Sequence, residues 1–207
     1  MVVLIFLAAY LLGSIPSSVW MGRAVKGLDL REHGSGNAGA SNAFRVLGKP
    51  IGTVVLIADM LKGFLAVYLS HLQSEILPGT ESWMMLRIGL GIIAVLGHII
   101  PVFAGFKGGK GVATMAGIGL AIHPYAALAA MGVYLLVFLF TRLSSLGSLS
   151  AVISYPIWMI LVFQTEYRAL WYFSIFVPIL VIITHRANIA RLIRGKETTI
   201  LKKKPGS

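Results

Sequence analysis

The chain contains no cysteine. That excludes disulfides, thiolate metal sites, thiol nucleophiles and acyl thioesters carried on the protein. Charge is also scarce. Only 12% of the 207 residues are charged, about half the roughly 25% typical of a soluble domain, so there is too little polar surface to cover a water-facing globule. Acidic residues are scarcer still, with seven Asp+Glu against eighteen Lys+Arg and a net charge of +11. So few carboxylates leave no pair suited to glycosidic chemistry. They also leave too few oxygen ligands for hydrolysis on a hard cation, so neither a metal nor another cofactor is expected. What remains is an apolar chain, 57% hydrophobic with mean hydropathy +0.85. Its cations lie between long apolar runs, which argues against a nucleic-acid partner and for a polytopic, all-α membrane protein with one cationic side.

A helix needs about 20 apolar residues to cross a hydrocarbon core of about 30 Å. Runs of that kind occur at Met1–Met21, Ile51–Leu72, Met84–Ala104, Gly147–Gln164 and Tyr167–Thr184. The first lacks the short apolar core and small-residue cleavage site of a signal peptide. Between Val112 and Phe140 one apolar stretch is interrupted by His123-Pro124, where proline breaks the helical hydrogen-bond ladder. Counted as two spans, this stretch gives seven transmembrane helices. Arg23, Lys26, Arg31, Arg45, Lys49, Lys107, Lys110, Arg142 and the seven cations from Arg186 to Lys204 then share one side, fifteen in all. Only Arg87 and Arg168 lie opposite, and Lys62 lies within a span. Counted as one span, the cations divide almost evenly. The positive-inside rule selects the first arrangement, with the N-terminus outside and the C-terminus cytoplasmic. The whole chain, 1–207, is expected to form a single integral membrane domain with a basic cytoplasmic tail over 196–207. Val112–Ile122 would be only about 16 Å long, too short to cross alone, with its glycine-rich start sunk into a protein-lined cavity.

Four polar clusters fall on the cationic side. The first, His33 to Lys49, is small and glycine-rich and offers Ser35, Asn37, Ser41 and Asn42 as donors and caps. Gly34 and Gly36 let the backbone approach an anion, and Arg45 adds charge. Ala40–Leu47 is expected to form a short interfacial helix. The second, Gly105 to Gly111, leads straight into an apolar helix. Gly108, Gly109 and Gly111 before a helix N-terminus, with Lys107 and Lys110, are phosphate-loop physics. They are not a Walker A, because Ala104 and Gly111 occupy the places that pattern reserves for Gly and Ser/Thr. The third, Thr141 to Ser148, contributes Ser145 and Ser148. In the fourth, Thr184 to Glu197, His185, Asn188 and Arg191 recur every three residues and so lie near one helical face. Each cluster also has a plainer reading as a connector, a topogenic charge or a headgroup anchor. The run Lys202–Lys204 has only that plainer reading. Asp59 and Lys62, at i and i+3 within a span, read as a structural ion pair facing the bundle interior, and His98 as a hydrogen-bonding partner within the bundle. Many anion-binding donors, one histidine and almost no carboxylate point to chemistry between phosphorylated substrates. The rival is a small anion or phosphate transporter, which would carry polar groups through the midplane and often inverted repeats.

Gly34-Ser35-Gly36-Asn37 followed by Ser41 and Arg45, then Gly97-His98-x-x-Pro101 running into Gly105–Thr114, then His185-Arg186-x-Asn188-Ile189-x-Arg191-Leu192 through Glu197, resemble three motifs of one family. The family is the bacterial membrane acyl-phosphate:glycerol-3-phosphate 1-acyltransferases. Gly13-Ser14-Ile15-Pro16 and Asp59-x-x-Lys62-Gly63 are similar too, and the resemblance runs through essentially the whole chain. It implies seven membrane helices in a bacterial cytoplasmic (inner) membrane and a site facing the cytoplasm. The implied reaction moves a fatty acyl group from acyl phosphate to the sn-1 hydroxyl of glycerol 3-phosphate. Lysophosphatidate and phosphate are the products, made for phospholipid synthesis without a covalent acyl-enzyme. By resemblance Ser35, Arg45, Lys110, His185 and Asn188 carry activity or substrate phosphates. Gly34, Gly36, Asn37, Ser41, Lys107, Gly108, Gly109, Gly111, Ser145 and Ser148 surround the substrates, and Glu197 supports structure. The proton acceptor is either His185 or a substrate phosphate oxygen. Glycerol 3-phosphate, acyl phosphate and membrane lipids are the expected partners of a monomer.

Overall fold

The computed structural model describes residues 1–199, and the lysines at 202–204 lie outside the described residues. Ten α-helices and no strand occur among the described residues: α1 Val2–Gly13, α2 Ser17–Lys26, α3 Ala40–Leu47, α4 Lys49–Tyr68, α5 Glu81–Ile99, α6 Val112–Ile122, α7 Pro124–Thr141, α8 Ser144–Pro156, α9 Arg168–Thr184 and α10 Arg186–Ile193.

Among the described residues, five helical segments are long and apolar enough to cross a membrane: Val2–Lys26, Lys49–Leu72, Glu81–Ala104, Pro124–Thr141 and Ser144–Val162. A sixth is α9 with α10, bent by 69° where they meet. The remaining apolar helix, α6, has 11 residues and is about 16 Å long. The expected break at His123-Pro124 is present. His123 Nδ1 accepts the Ala126 N–H at 3.2 Å and caps α7, with Pro124 at its first turn. The short helix expected over Ala40–Leu47 is α3, with the same bounds. The first span is longer than the expected Met1–Met21, because α2 runs on to Lys26 beyond a break at Ser14–Pro16. That break leaves the Ile15 carbonyl without a helical partner, and Lys62 Nζ of α4 donates to it at 2.9 Å. Lys62 also pairs with Asp59 at 2.9 Å, both side chains at least 95% buried. The expected ion pair therefore also stitches α4 to the kinked first span. After Pro156 the eighth helix widens into a π turn over Ile157–Val162, consistent with the proline's missing N–H and its steric push on the preceding turn.

Small residues set how closely the helices approach, as in other membrane bundles. A Cβ on Gly117 of α6 would collide with the Met60 carbonyl of α4, and Gly63 faces Thr114 the same way. This brings the first two turns of the short helix into backbone contact with a full-length one. Positions on the outer surface of the bundle are apolar: Ile57, Leu61, Leu136, Phe140 and Ile175 are all exposed, as lipid-facing positions require.

Candidate active site

All four polar clusters border one cavity of about 640 Å³. Its mouth carries Ser35, Asn37, Ser41, Arg45, Lys110, Gly111, Ser145, His185 and Asn188. Ser148 lies a turn further along α8; Thr53, Asp59, His98, Tyr134 and Glu197 also reach the lining, and most of the remainder is apolar, including Met60, Met131, Val152 and Val177.

The first cluster is organised by Asn42, which is 1% exposed. Its Nδ2 donates to the Leu30 and His33 carbonyls, each at 2.9 Å, and its Oδ1 accepts the Ser35 N–H at 2.9 Å. Ser35 is thereby held at the lip while its hydroxyl stays exposed. Gly34 sits at φ +64°, and a side chain there would run into Asn42 Oδ1. Arg45, on α3, donates to the Thr198 carbonyl and hydroxyl at 3.3 and 3.2 Å. Its Nε is buried without a partner among the described residues. Burial lowers its pKa, with Glu197 acting in the opposite sense. Ser41 shares a 2.8 Å hydrogen bond with Ser144, which Tyr134 also reaches at 3.0 Å. The Ser145 hydroxyl is buried and unpartnered among the described residues.

The glycine loop does not leave all its N–H groups free. Gly108 and Gly109 donate theirs, each at 3.1 Å, to the Ile99 and His98 carbonyls. These are end-of-helix acceptors of α5 that would otherwise lack partners. The approach is so close that a Cβ on Gly108 would strike the His98 carbonyl. This clamp turns the loop, so that Lys110 and the unpaired first turn of α6 face the cavity. Lys107 and Gly108 instead line a second, separate cavity with Arg23, Asp29, Arg31 and Gly36. There Arg31 braces the loop by donating to the Ala104 carbonyl at 2.6 Å while forking onto Asp29 at 2.7 and 3.0 Å. The guanidinium of Arg31 holds Asp29 well below the usual carboxylate range. Of the expected substrate-binding positions, Lys107, Gly108 and Gly36 thus open elsewhere. Gly109 packs on His98, and Gly34 shapes the backbone beneath Ser35.

Lys110 donates to Asn188 Oδ1. Asn188 Nδ2 in turn donates to Glu197 Oε1 at 2.8 Å, and Arg191 Nε donates to Glu197 Oε2 at 2.9 Å. Glu197, its side chain 6% exposed, thus fixes Asn188 and Arg191 and draws the segment after α10 over the site. Burial is the main cause of a low Lys110 pKa, about 8, with nearby Arg191 adding to it. His185 sits at the bend where α9 ends. Its Nδ1 lies 3.0 Å from the Val181 carbonyl. With the proton on Nδ1 to make that bond, Nε2 is left as an acceptor.

Tyr134 and Thr198 also line the site, and the sequence motifs do not include them. Tyr134 lies in an unbroken apolar run, and Thr198 follows the last motif with no pattern of its own. Asp59 and His98 reach the cavity wall as well. His98 Nδ1 is 3.8 Å from Asp59 Oδ1, too far for a hydrogen bond, and has no partner among the described residues, so the expected hydrogen-bonding role is not made through that nitrogen.

The family model for glycerol-3-phosphate acyltransferase matches residues 3–195. A glycerol-3-phosphate acyltransferase of Fusobacterium nucleatum subsp. nucleatum is 39% identical over 188 residues, 91% of this chain and 92% of that one. One from Chlorobium phaeobacteroides is 40% identical, with 96% of each chain covered. Among solved structures, PlsY, an integral membrane glycerol 3-phosphate acyltransferase, is similar in two forms. Its glycerol 3-phosphate form superposes with TM-score 0.82 at 38% identity, covering 96% of this chain and 94% of that one. Its lysophosphatidic acid form superposes with TM-score 0.79 at 36% identity over the same shares. The chain belongs to the glycerol-3-phosphate acyltransferase family.

Proposed function

We propose that this member of the family takes its acyl group from acyl phosphate and delivers it to the sn-1 hydroxyl of glycerol 3-phosphate, releasing lysophosphatidate and phosphate. The observation that carries this reading is one cavity that joins a cationic, donor-rich mouth to an apolar interior. Two phosphates suit the mouth and a fatty chain suits the interior. Glu197, the carboxylate at the mouth, is tied up by Asn188 and Arg191, so it does not repel them.

Acyl phosphate is already activated, since phosphate leaves readily, so no acyl-enzyme is required. The glycerol hydroxyl attacks the acyl carbonyl carbon. The carbonyl C–OP bond breaks, and the electron pair and negative charge leave with phosphate. Arg45 and Lys110, with the N–H groups opening α6, stabilise the oxyanion and the departing phosphate. Ser35, Ser145 and Asn188 orient the phosphates. The hydroxyl proton goes to a substrate phosphate oxygen. A phosphate monoester, with a second pKa near 6, is a competent acceptor, and it arrives already beside the hydroxyl it must deprotonate. His185 Nε2 then receives a hydrogen bond from the attacking hydroxyl and aligns it. We place seven helices in the bacterial inner membrane, N-terminus outside and the site facing the cytoplasm, on the one-sided charge of the loops. The acyl tail enters between helices from the inner leaflet. We take the functional unit to be a monomer.

The test is purified protein given glycerol 3-phosphate with acyl phosphate, acyl-CoA or acyl carrier protein. Phosphate release and lysophosphatidate formation with acyl phosphate alone are expected. Turnover with either thioester and none with acyl phosphate would overturn the donor. For the proton acceptor, His185→Ala is expected to raise KM for glycerol 3-phosphate and leave residual turnover. Complete loss of turnover with glycerol-phosphate binding intact would make His185 the base.

A further inference from the structure

The apolar part of the cavity has a floor. Gly119 of α6, Ala127 of α7, Tyr155 of α8 and Phe173 of α9 converge there. A Cβ placed on Gly119 would lie 3.1 Å from Ala127 Cβ and 3.9 Å from the Tyr155 hydroxyl. The Tyr155 and Phe173 rings meet edge to face at 6.5 Å between centroids. The next side chains beyond this layer, Ile122, Met159 and Leu170, are buried in one hydrophobic cluster and do not line the cavity. The Tyr155 hydroxyl is buried with no partner among the described residues, so no hydrogen bond fixes it at the floor.

The depth follows from helix rise. Tyr155 is ten residues from Ser145 on α8, and Phe173 is twelve from His185 on α9, which puts the floor about 15 to 18 Å below the mouth at 1.5 Å per residue. An extended carbon chain, with bonds of about 1.5 Å and angles near 111°, advances roughly 1.25 Å per carbon. The channel therefore takes a straight chain of about twelve to fourteen carbons beyond the reacting carbonyl.

We propose that Gly119, Ala127, Tyr155 and Phe173 form a gauge that sets the acyl-chain length accepted from the donor, with Ala130 keeping the channel open one turn nearer the mouth. This rests on the acyl-donor reading above. Chains that end at the floor bury every methylene. Longer ones must bend or displace the rings, and shorter ones leave space unfilled. One methylene in an apolar pocket is worth about 10- to 200-fold in discrimination at the upper end of fit.

The experiment is competition. A mixture of saturated acyl phosphates of graded length is supplied with glycerol 3-phosphate, and the chain lengths in the lysophosphatidate product are read by mass spectrometry. The ratio of products is independent of how much protein is folded. Phe173→Ala lowers the floor and is expected to favour chains two to four carbons longer by about ten-fold. Tyr155→Phe, which removes a single oxygen, is expected to shift the ratio in the same direction but less. Ala127→Leu raises the floor and favours shorter chains, and Ala130→Leu shortens the preference further. If the four variants keep the parent's product ratio while still making lysophosphatidate, the gauge is wrong and the donor reading stands. If the parent protein uses no acyl phosphate of any length, the donor reading fails and the gauge with it.

Discussion

Lys107 and Lys110 stand three residues apart in one glycine-rich loop, and in sequence they are equivalent cations. The fold separates them. Lys110 is half-buried at the cavity mouth against Asn188, where burial depresses its pKa to about 8. Lys107 is exposed beside a second cavity, in whose lining Asp29 and Arg31 already pair with each other. The clamp of Gly108 and Gly109 onto the end of α5 lies between the two lysines and turns one inward and the other out. A run of cations is thus not itself a site. It becomes one where the backbone places a single charge in a desolvated cleft with donors around it.

The comparison is sharpest at Lys110. Lys110→Ala is expected to lower kcat/KM by about 10²- to 10³-fold, the usual cost of losing one donor to an oxyanion, with thermal stability in detergent little changed. Activity within a few-fold of the parent would erase the distinction. Gly108→Ala should come next, because its methyl meets the His98 carbonyl and forces the clamp open. About ten-fold or more loss is expected, in line with 1–3 kcal/mol for unpaired buried carbonyls, read as kcat/KM on protein that still elutes as a single detergent-solubilised species. Glu197→Gln should raise KM for glycerol 3-phosphate by several-fold, about 1 kcal/mol, by loosening Asn188 and Arg191.

pH separates the lysines by a different readout. A lysine with a depressed pKa loses its charge as pH rises, so kcat/KM should fall above about pH 8 as Lys110 deprotonates. Lys110→Arg should move that limb upward, since a guanidinium stays charged. Lys107→Arg should leave it in place. An unchanged alkaline limb in Lys110→Arg would assign the titration to another group. The smallest effect belongs to Lys107→Ala, expected to stay within about two-fold, as for exposed charges generally. A large loss there would mean that substrate passes through the second cavity.

Much of this is readable in the sequence. The break at His123-Pro124 follows from the missing proline N–H, the helix at Ala40–Leu47 from its pattern, and the pairing of Asp59 with Lys62 from the cost of charge in an apolar span. Ser35, Arg45, Lys110, His185 and Asn188 are identified by motif, and the cavity brings them together. Tyr134 and Thr198 carry no signal, because a tyrosine in an apolar run and a threonine after a motif are common wherever helices are exposed to lipid or chains trail off. The use of the Gly108 and Gly109 N–H groups is equally hidden, since their acceptors are carbonyls on another helix.

What the sequence by itself determined is the partition of the chain into apolar helices, the break at His123-Pro124 and the family these motifs belong to. Transfer between water and hydrocarbon is nearly additive along the chain, so local composition suffices for that. Only the tertiary structure decided which lysine faces the cavity, which carboxylate is silenced by neighbours and where the apolar channel stops. Those outcomes depend on the unpaired carbonyls at the end of α5 and on residues of four different helices meeting at one depth, and neither is encoded in any single stretch of residues.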